Sequence, residues 1–137
     1  MSQPQPTRPA PSVMRDAIFF WEGAKQGELR IQQCNACGVL HHPPRPMCNE
    51  CHALDMGHQV MSGRGKVYSW IKPVHPPMPM FEEGMVVALI DLDEGPRFMS
   101  NVREIAFEDI TKNMAVEVFF EPAQDGFMIP QFRPVQG

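Results

Sequence analysis

The chain has little that would carry it into a membrane or onto a nucleic acid. No apolar run approaches the roughly 18 residues that a membrane-spanning helix needs, so no transmembrane helix is expected. The opening residues, MSQPQPTRPAPS, lack the apolar core of a secretory signal, and the expected compartment is the cytoplasm. Positive charge is scarce: 12 Lys and Arg stand against 16 Asp and Glu, a net charge of −4. That balance gives no bulk attraction to a phosphate backbone. Catalytic patterns are missing too. Gly63-Arg64-Gly65-Lys66 is too short for the phosphate-cradling fingerprints. Ser62, Ser69 and Ser100 lack an elbow motif, and His75 sits in a proline-rich loop. Asp91, Asp93 and Glu94 lie at a strand end and turn, a pattern that fits a solvated hairpin better than a carboxylate pair.

What the sequence has is proline, short β-like runs and paired cysteines. Fifteen prolines in 137 residues argue against long helices and for short strands joined by stiff turns. The length suits one compact domain with a small appendage. Residues 1–13 read as a flexible arm. Residues 14–28 read as a short helix, because Ile18 and Trp21, with Ala17 and Ala24, recur at helical spacing and Gly27 would stop it. Phe19 and Phe20 widen its apolar face. Such a helix either packs on its own domain or docks on a partner.

Residues 29–56 read as a metal ribbon. Leu29–Gln33 alternates like a strand. Two Cys-x-x-Cys pairs follow, Cys34/Cys37 and Cys48/Cys51, with ten residues between them. Each pair makes a turn that points two sulfurs at one centre, and two such turns complete a tetrahedron of thiolates. Gly38 suits a knuckle that needs positive φ. Rubredoxin-like iron uses the same ligands, so ligand type leaves iron and zinc both open; zinc is the preferred reading. Four protein ligands leave no open position, which makes the ion structural. His41, His42 and His52 lie nearby as neighbours of the site.

From residue 57 to 134 the texture is β. Strand-like runs are expected around Gly63 and Gly65 and at MVVALIDL, FMSNV, VEVFFE and FMIPQF, about five strands in all, with one helical turn near 107–112. Five short antiparallel strands suggest a small barrel of the OB type. Arg45, Arg64, Lys66, Lys72, Arg97, Arg103 and Arg133 are either scattered surface charge or, in part, gathered at a barrel mouth. The loop KPVHPPMPMFEEG, residues 72–84, joins two strands with four prolines, two methionines and a phenylalanine. Either it folds back over the barrel or it offers a pliable apolar surface.

The order of features is also distinctive. Phe20-Trp21-Glu22-Gly23 leads to Gly27-Glu28-Leu29, then to Cys34-x-x-Cys37-Gly38, Pro43-Pro44-Arg45 and Cys48-x-x-Cys51. Ser62-Gly63-x-Gly65-Lys66-Val67-Tyr68-Ser69, Leu92-Asp93-Glu94-Gly95-Pro96-Arg97 and Pro130-x-Phe132 follow. From about residue 15 to residue 134 the chain resembles the acyl-CoA-associated zinc-ribbon plus OB-fold proteins, long grouped as a domain family of unknown function. The resemblance implies a mainly β protein: an N-terminal helix, a rubredoxin-like zinc ribbon and a five-stranded OB-fold barrel. It implies a non-catalytic scaffold or accessory subunit for a thiolase-like, aldolase or hydratase partner, and a CoA ester as possible ligand. Position by position, Cys34, Cys37, Cys48 and Cys51 match the metal ligands. Arg45, Arg64 and Lys66 become candidate contacts for CoA phosphates, and Phe19, Phe20 and Trp21 a candidate docking face. The alternative from another class is a single-stranded nucleic-acid-binding ribbon and OB module. The family usually has Gly before the fourth barrel strand, where this chain has Asn113, a residue that tolerates left-handed φ.

Overall fold

The computed structural model describes residues 8–81 and 84–136. A single turn of 3-10 helix at Arg15–Ala17 leads into helix α1, Ile18–Lys25. Gly27 ends it at φ +78°, where the Glu28 N–H donates to the Gly23 carbonyl in a Schellman-type closure. The buried face carries Phe20, Gly23 and Ala24, whereas Ile18 is 46% exposed. The stripe is therefore rotated from the Ile18–Trp21 line that spacing alone suggests. Phe20 meets Phe98 and His42, and those rings decide the register.

Strand β1, Arg30–Cys34, is the centre of a three-stranded antiparallel sheet. Its neighbours are β2, Leu40–His41, and β3, Met56–Val60. Met56–Val60 thus pairs with the cysteine segment, and the β texture that begins there serves the ribbon before the barrel. Three residues later the second sheet starts.

That sheet contains β4 (Arg64–Ile71), β5 (Val87–Leu92), β6 (Arg97–Asn101), β7 (Ala115–Pro122) and β8 (Met128–Pro134), in the order β6-β5-β4-β7-β8. β4 is long and irregular at Tyr68, between Val67 and Ser69, and it pairs with β5 along its length and with β7 at its start. Gly65 is required there: a Cβ would sit 2.6 Å from the Asp91 carbonyl oxygen and 2.8 Å from Ile90 Cγ2. The sheet curls until its outer strands meet. Val102 and Phe132 form a parallel bridge, the Arg103 N–H donates to the Phe132 carbonyl at 2.8 Å, and Ser100 Oγ donates to the Pro130 carbonyl at 2.8 Å. Five strands with this order and this closure make the OB-type barrel. The turn at Asn113 adopts φ +67°, with its N–H bonded to the Val67 carbonyl at 2.7 Å.

Alternation builds the core. In β5 the residues Ala88, Ile90 and Leu92 face inward, joined by Val67, Phe98, Val116 and Phe132. Each large apolar side chain fully buried this way contributes about 1.5–3 kcal/mol. Phe20 from α1, Leu29 and Ile31 from the ribbon side, and Met61 from the connection belong to the same cluster. Arg8 lies within the arm that the sequence suggests is flexible. Its guanidinium donates to Asn101 Oδ1 at 3.2 Å and stands 5.1 Å over the Phe81 ring. Among the described residues, no helix is long and apolar enough to cross a membrane.

Candidate metal centre

Two loops present the cysteines, and they are built alike. In the first, the Gly38 N–H donates to the Cys34 carbonyl at 2.8 Å, and the Cys34 N–H to the Val39 carbonyl at 3.0 Å. In the second, the His52 N–H donates to the Cys48 carbonyl at 2.9 Å, and the Cys48 N–H to the Ala53 carbonyl at 2.9 Å. Gly38 has φ +81° and His52 has φ +64°. His52 therefore does for the second knuckle what glycine does for the first, a role its sequence position does not announce.

The loops bring all four sulfurs together. Cys34 Sγ lies 3.6 Å from Cys51 Sγ, and Cys37 Sγ lies 3.6 Å from Cys48 Sγ. All four Sγ atoms fall within 4.8 Å of one another. Zinc–sulfur bonds of about 2.3 Å put the corners of a tetrahedron about 3.8 Å apart, so the quartet fits one structural zinc. Cys34 and Cys48 are buried; Cys37 and Cys51 are exposed. Disulfides are not formed.

The surroundings favour thiolate at the two buried corners. Backbone N–H groups of Cys37 and Ala36 help hold the Cys34 thiol down to about 7, against its burial. Those of Cys51 and Glu50, with the His41 side chain, do the same for Cys48, also to about 7. At Cys37 the Val39 N–H pulls the same way, but partial loss of hydration at the sulfur and the Cys48, Cys51 and Cys34 sulfurs outweigh it and push the thiol up to about 12, although the residue as a whole is exposed. A divalent cation held by Cys34, Cys37, Cys48 and Cys51 would supply the charge that lets all four corners ionise. His41, 5% exposed, points Nε2 at Cys48 Sγ from 3.3 Å, so it touches a ligand and leaves the ligand set at four cysteines. His42 turns the other way, its ring 4.6 Å from Phe98 and 5.7 Å from Phe20, at the joint of ribbon, helix and barrel.

The remaining candidate residues divide. Gln32, buried in β1, uses both ends of its amide on Arg45: Nε2 donates to the Arg45 carbonyl at 2.7 Å, and Oε1 accepts the Arg45 N–H at 2.8 Å. Arg45 is fixed by this clamp at a depression of about 230 Å³, with Phe19, Leu54, Met56 and His58 around it. Arg64 and Lys66 do not reach that depression; they stand on the outward face of β4. The structure thus brings Arg64 and Lys66 to one surface and leaves Arg45 on another. Of the aromatic trio, Phe20 is 6% exposed and belongs to the core. Phe19 stacks on His58 at 5.3 Å, and Trp21 meets Phe127 edge-on at 6.1 Å, both half-buried. Residues 72–80 stand exposed and, with Phe81 and Gly84, border a concavity of about 630 Å³, with Val74 78% and Met78 51% exposed.

Comparison with known proteins agrees with this geometry. Residues 21–57 match the family described as "ChsH2, rubredoxin-like zinc ribbon domain", and residues 58–121 match "ChsH2, C-terminal OB-fold domain". The chain is 42% identical over 132 residues to the "Probable enoyl-CoA hydratase alpha subunit" of Thermomonospora curvata, covering 96% of this chain and 41% of that protein. It is 41% identical over 93 residues to the "3-oxo-4,17-pregnadiene-20-carboxyl-CoA hydratase alpha subunit" of Mycobacterium tuberculosis, covering 68% of this chain and 30% of that protein. The chain thus spans well under half the length of these two relatives. A "DUF35 domain-containing scaffold protein" of Methanocaldococcus jannaschii is 31% identical and aligns over 90% of this chain and 96% of its own. Among solved structures, a chain of the "Ltp2-ChsH2(DUF35) aldolase" superposes with a TM-score of 0.87 at 42% identity, over 91% of this chain and 98% of that one. A DUF35 protein of unknown function from Sulfolobus solfataricus, 13% identical with a TM-score of 0.60, shares the fold. The four-cysteine ribbon, the barrel it adjoins and these matches place the chain in the DUF35 family, with a ChsH2-type zinc ribbon joined to a ChsH2-type OB-fold domain.

Proposed function

We propose that this chain is a non-catalytic accessory subunit that holds an acyl-CoA-processing enzyme of the hydratase, aldolase or thiolase-like class and helps retain its CoA ester. The observation that carries the reading is the superposition, over nearly the whole of both chains, on a chain of the "Ltp2-ChsH2(DUF35) aldolase". Two relatives bear hydratase subunit names. The metal quartet supports a scaffold role, since four thiolates leave a zinc ion no position for substrate or water. No catalytic set is visible in the sequence, so the chemistry belongs to the partner.

CoA phosphates need two or three cations at one place. Arg64 and Lys66 share a face, but Arg45 is apart from them, so a single phosphate site built from all three is not supported. The reading needs only that the CoA ester be held in the assembly. Co-expression with candidate hydratase, aldolase and thiolase-like subunits, followed by purification of a complex of fixed stoichiometry, tests it. Full turnover of a CoA ester by the isolated chain would sink it.

A further inference from the structure

Resting on that accessory-subunit reading, we infer that the outward face of the barrel sheet, centred on Arg64 and Lys66, docks onto an acidic surface of the enzyme partner. The strand register lays the charges out in rows. Arg64 lies opposite Glu117, and Glu117 opposite Arg133. Two residues along, Lys66 lies opposite Asp91, and Asp91 opposite Arg97. Alternation puts these side chains on the side away from the core, since Gly65 and Val67 are buried while Arg64 and Lys66 are exposed.

Both carboxylates are already engaged. Asp91 Oδ1 accepts from Arg97 Nε at 2.7 Å, and Glu117 Oε1 accepts from Arg133 Nε at 3.4 Å. Among the described residues Arg64 and Lys66 have no ion-pair partner, and Lys112 joins them 5.5 Å over the Tyr68 ring. Glu104 also pairs with Arg133 at 3.8 Å, so Arg64, Lys66, Arg97, Lys112 and Arg133 stand against Asp91, Glu104 and Glu117, and this face of a chain of net charge −4 keeps a positive excess. Arg97 Cζ stands 3.6 Å over the Tyr68 ring centroid, so part of the face is set in advance.

The next two rows are mostly apolar at the surface, with Ser69 at one end of the first and the buried Asn101 at one end of the second. Leu89 lies opposite Met99, and Ile71 opposite Val87. Met99 is 63% and Ile71 61% exposed. A sheet face with arginine and methionine at its centre and lysine beside them has the composition of a protein interface. Its charge selects an acidic partner and speeds encounter. The row of apolar side chains continuing from the cations favours a protein surface over a phosphate group, which would leave Met99 and Ile71 in water.

The test uses the full chain, zinc-loaded, with the hydratase, aldolase or thiolase-like subunit that forms the complex under the accessory-subunit reading. The double variant Arg64→Glu/Lys66→Glu should weaken that complex tenfold or more. It should also flatten the dependence of affinity on salt between about 50 and 300 mM. Met99→Asp should weaken it independently. Zinc content and melting temperature should not move, because all three side chains are exposed. Wild-type affinity in the double variant overturns the inference. So does unchanged subunit affinity with weakened binding of free CoA, which would make the face a ligand site. If the wild-type chain binds none of these subunits, the accessory-subunit reading fails and the docking face falls with it.

Discussion

Acid should loosen this fold at the metal thiolates and, separately, at one buried side chain, His42. Its ring is enclosed by Phe98 and Phe20, and Nδ1 is buried without a hydrogen-bond partner. Burial lowers its pKa from 6.5 to about 4, because the charged ring would lose its hydration. The charged side chains on the packed elements, Glu22 and Lys25 of α1 and Arg97 of β6, are exposed and give no compensation. Between pH 6.5 and pH 4 the unfolded chain binds a proton that the folded chain refuses. Stability is therefore fully present above pH 6.5 and falls as pH drops towards 4. At about 1.4 kcal/mol per pKa unit the whole difference is worth roughly 3 kcal/mol, of which about 2 kcal/mol is lost by pH 5. The perturbation is His42→Phe, which keeps a ring between Phe20 and Phe98 and removes the titration. Urea unfolding of both proteins at pH 8 and pH 5, with equal zinc, measures it. Protonation of the metal thiolates weakens both proteins alike, so the difference between them reports His42. The variant should lose about 2 kcal/mol less than the parent over that interval. Equal losses would refute the claim that the buried imidazole drives the acid sensitivity.

Replacing Cys37 with Ser should remove the ion and the ribbon fold together: metal analysis should fall from one zinc per chain to none, and circular dichroism should show the lost strands. A folded variant that kept its enzyme partner without zinc would contradict the scaffold role of the ribbon. His52→Gly should raise stability by about 0.5–1 kcal/mol, since φ +64° is strained for histidine and free for glycine, and calorimetry reads it as a higher melting temperature. Gly65→Ala should cost roughly 2–3 kcal/mol, because the new methyl would meet the Asp91 carbonyl at 2.6 Å with backbone on the far side; a melting temperature equal to the parent's would show that the strands part more easily than packing suggests.

Local chemistry was legible in the sequence and relations between distant segments were not. The Cys-x-x-Cys pairs announce the metal centre because sulfur geometry demands that spacing. β5 announces itself because alternation of VALIDL follows from one face being buried. Asn113 is legible as a turn residue because asparagine tolerates left-handed φ, and it adopts φ +67°. By contrast, Met56–Val60 has the texture of the barrel that follows, and only its pairing with Arg30–Cys34 assigns it to the ribbon. Phe20 looks from spacing like part of an exposed aromatic trio. Its place against Phe98, 78 residues away in the chain, is invisible until the barrel is built. The same holds for Arg45 and Lys66: composition counts both as cations, but only topology separates the ribbon depression from the sheet face.

The core cluster that runs from Phe20 through Leu29, Ile31 and Met61 into Ile90 and Phe132 has a consequence for heredity. A ribbon and a barrel that each closed its own interior could be shuffled among proteins like beads on a string. Here neither half has a complete interior, because Phe20 and Met61 fill space between the helix, the ribbon and the barrel strands. A cut near residue 57 would expose apolar surface on both fragments, and a recombination there would need both halves to change together. A shared interior of this kind ties the two halves together, and the alignment with the Thermomonospora curvata relative runs across both of them.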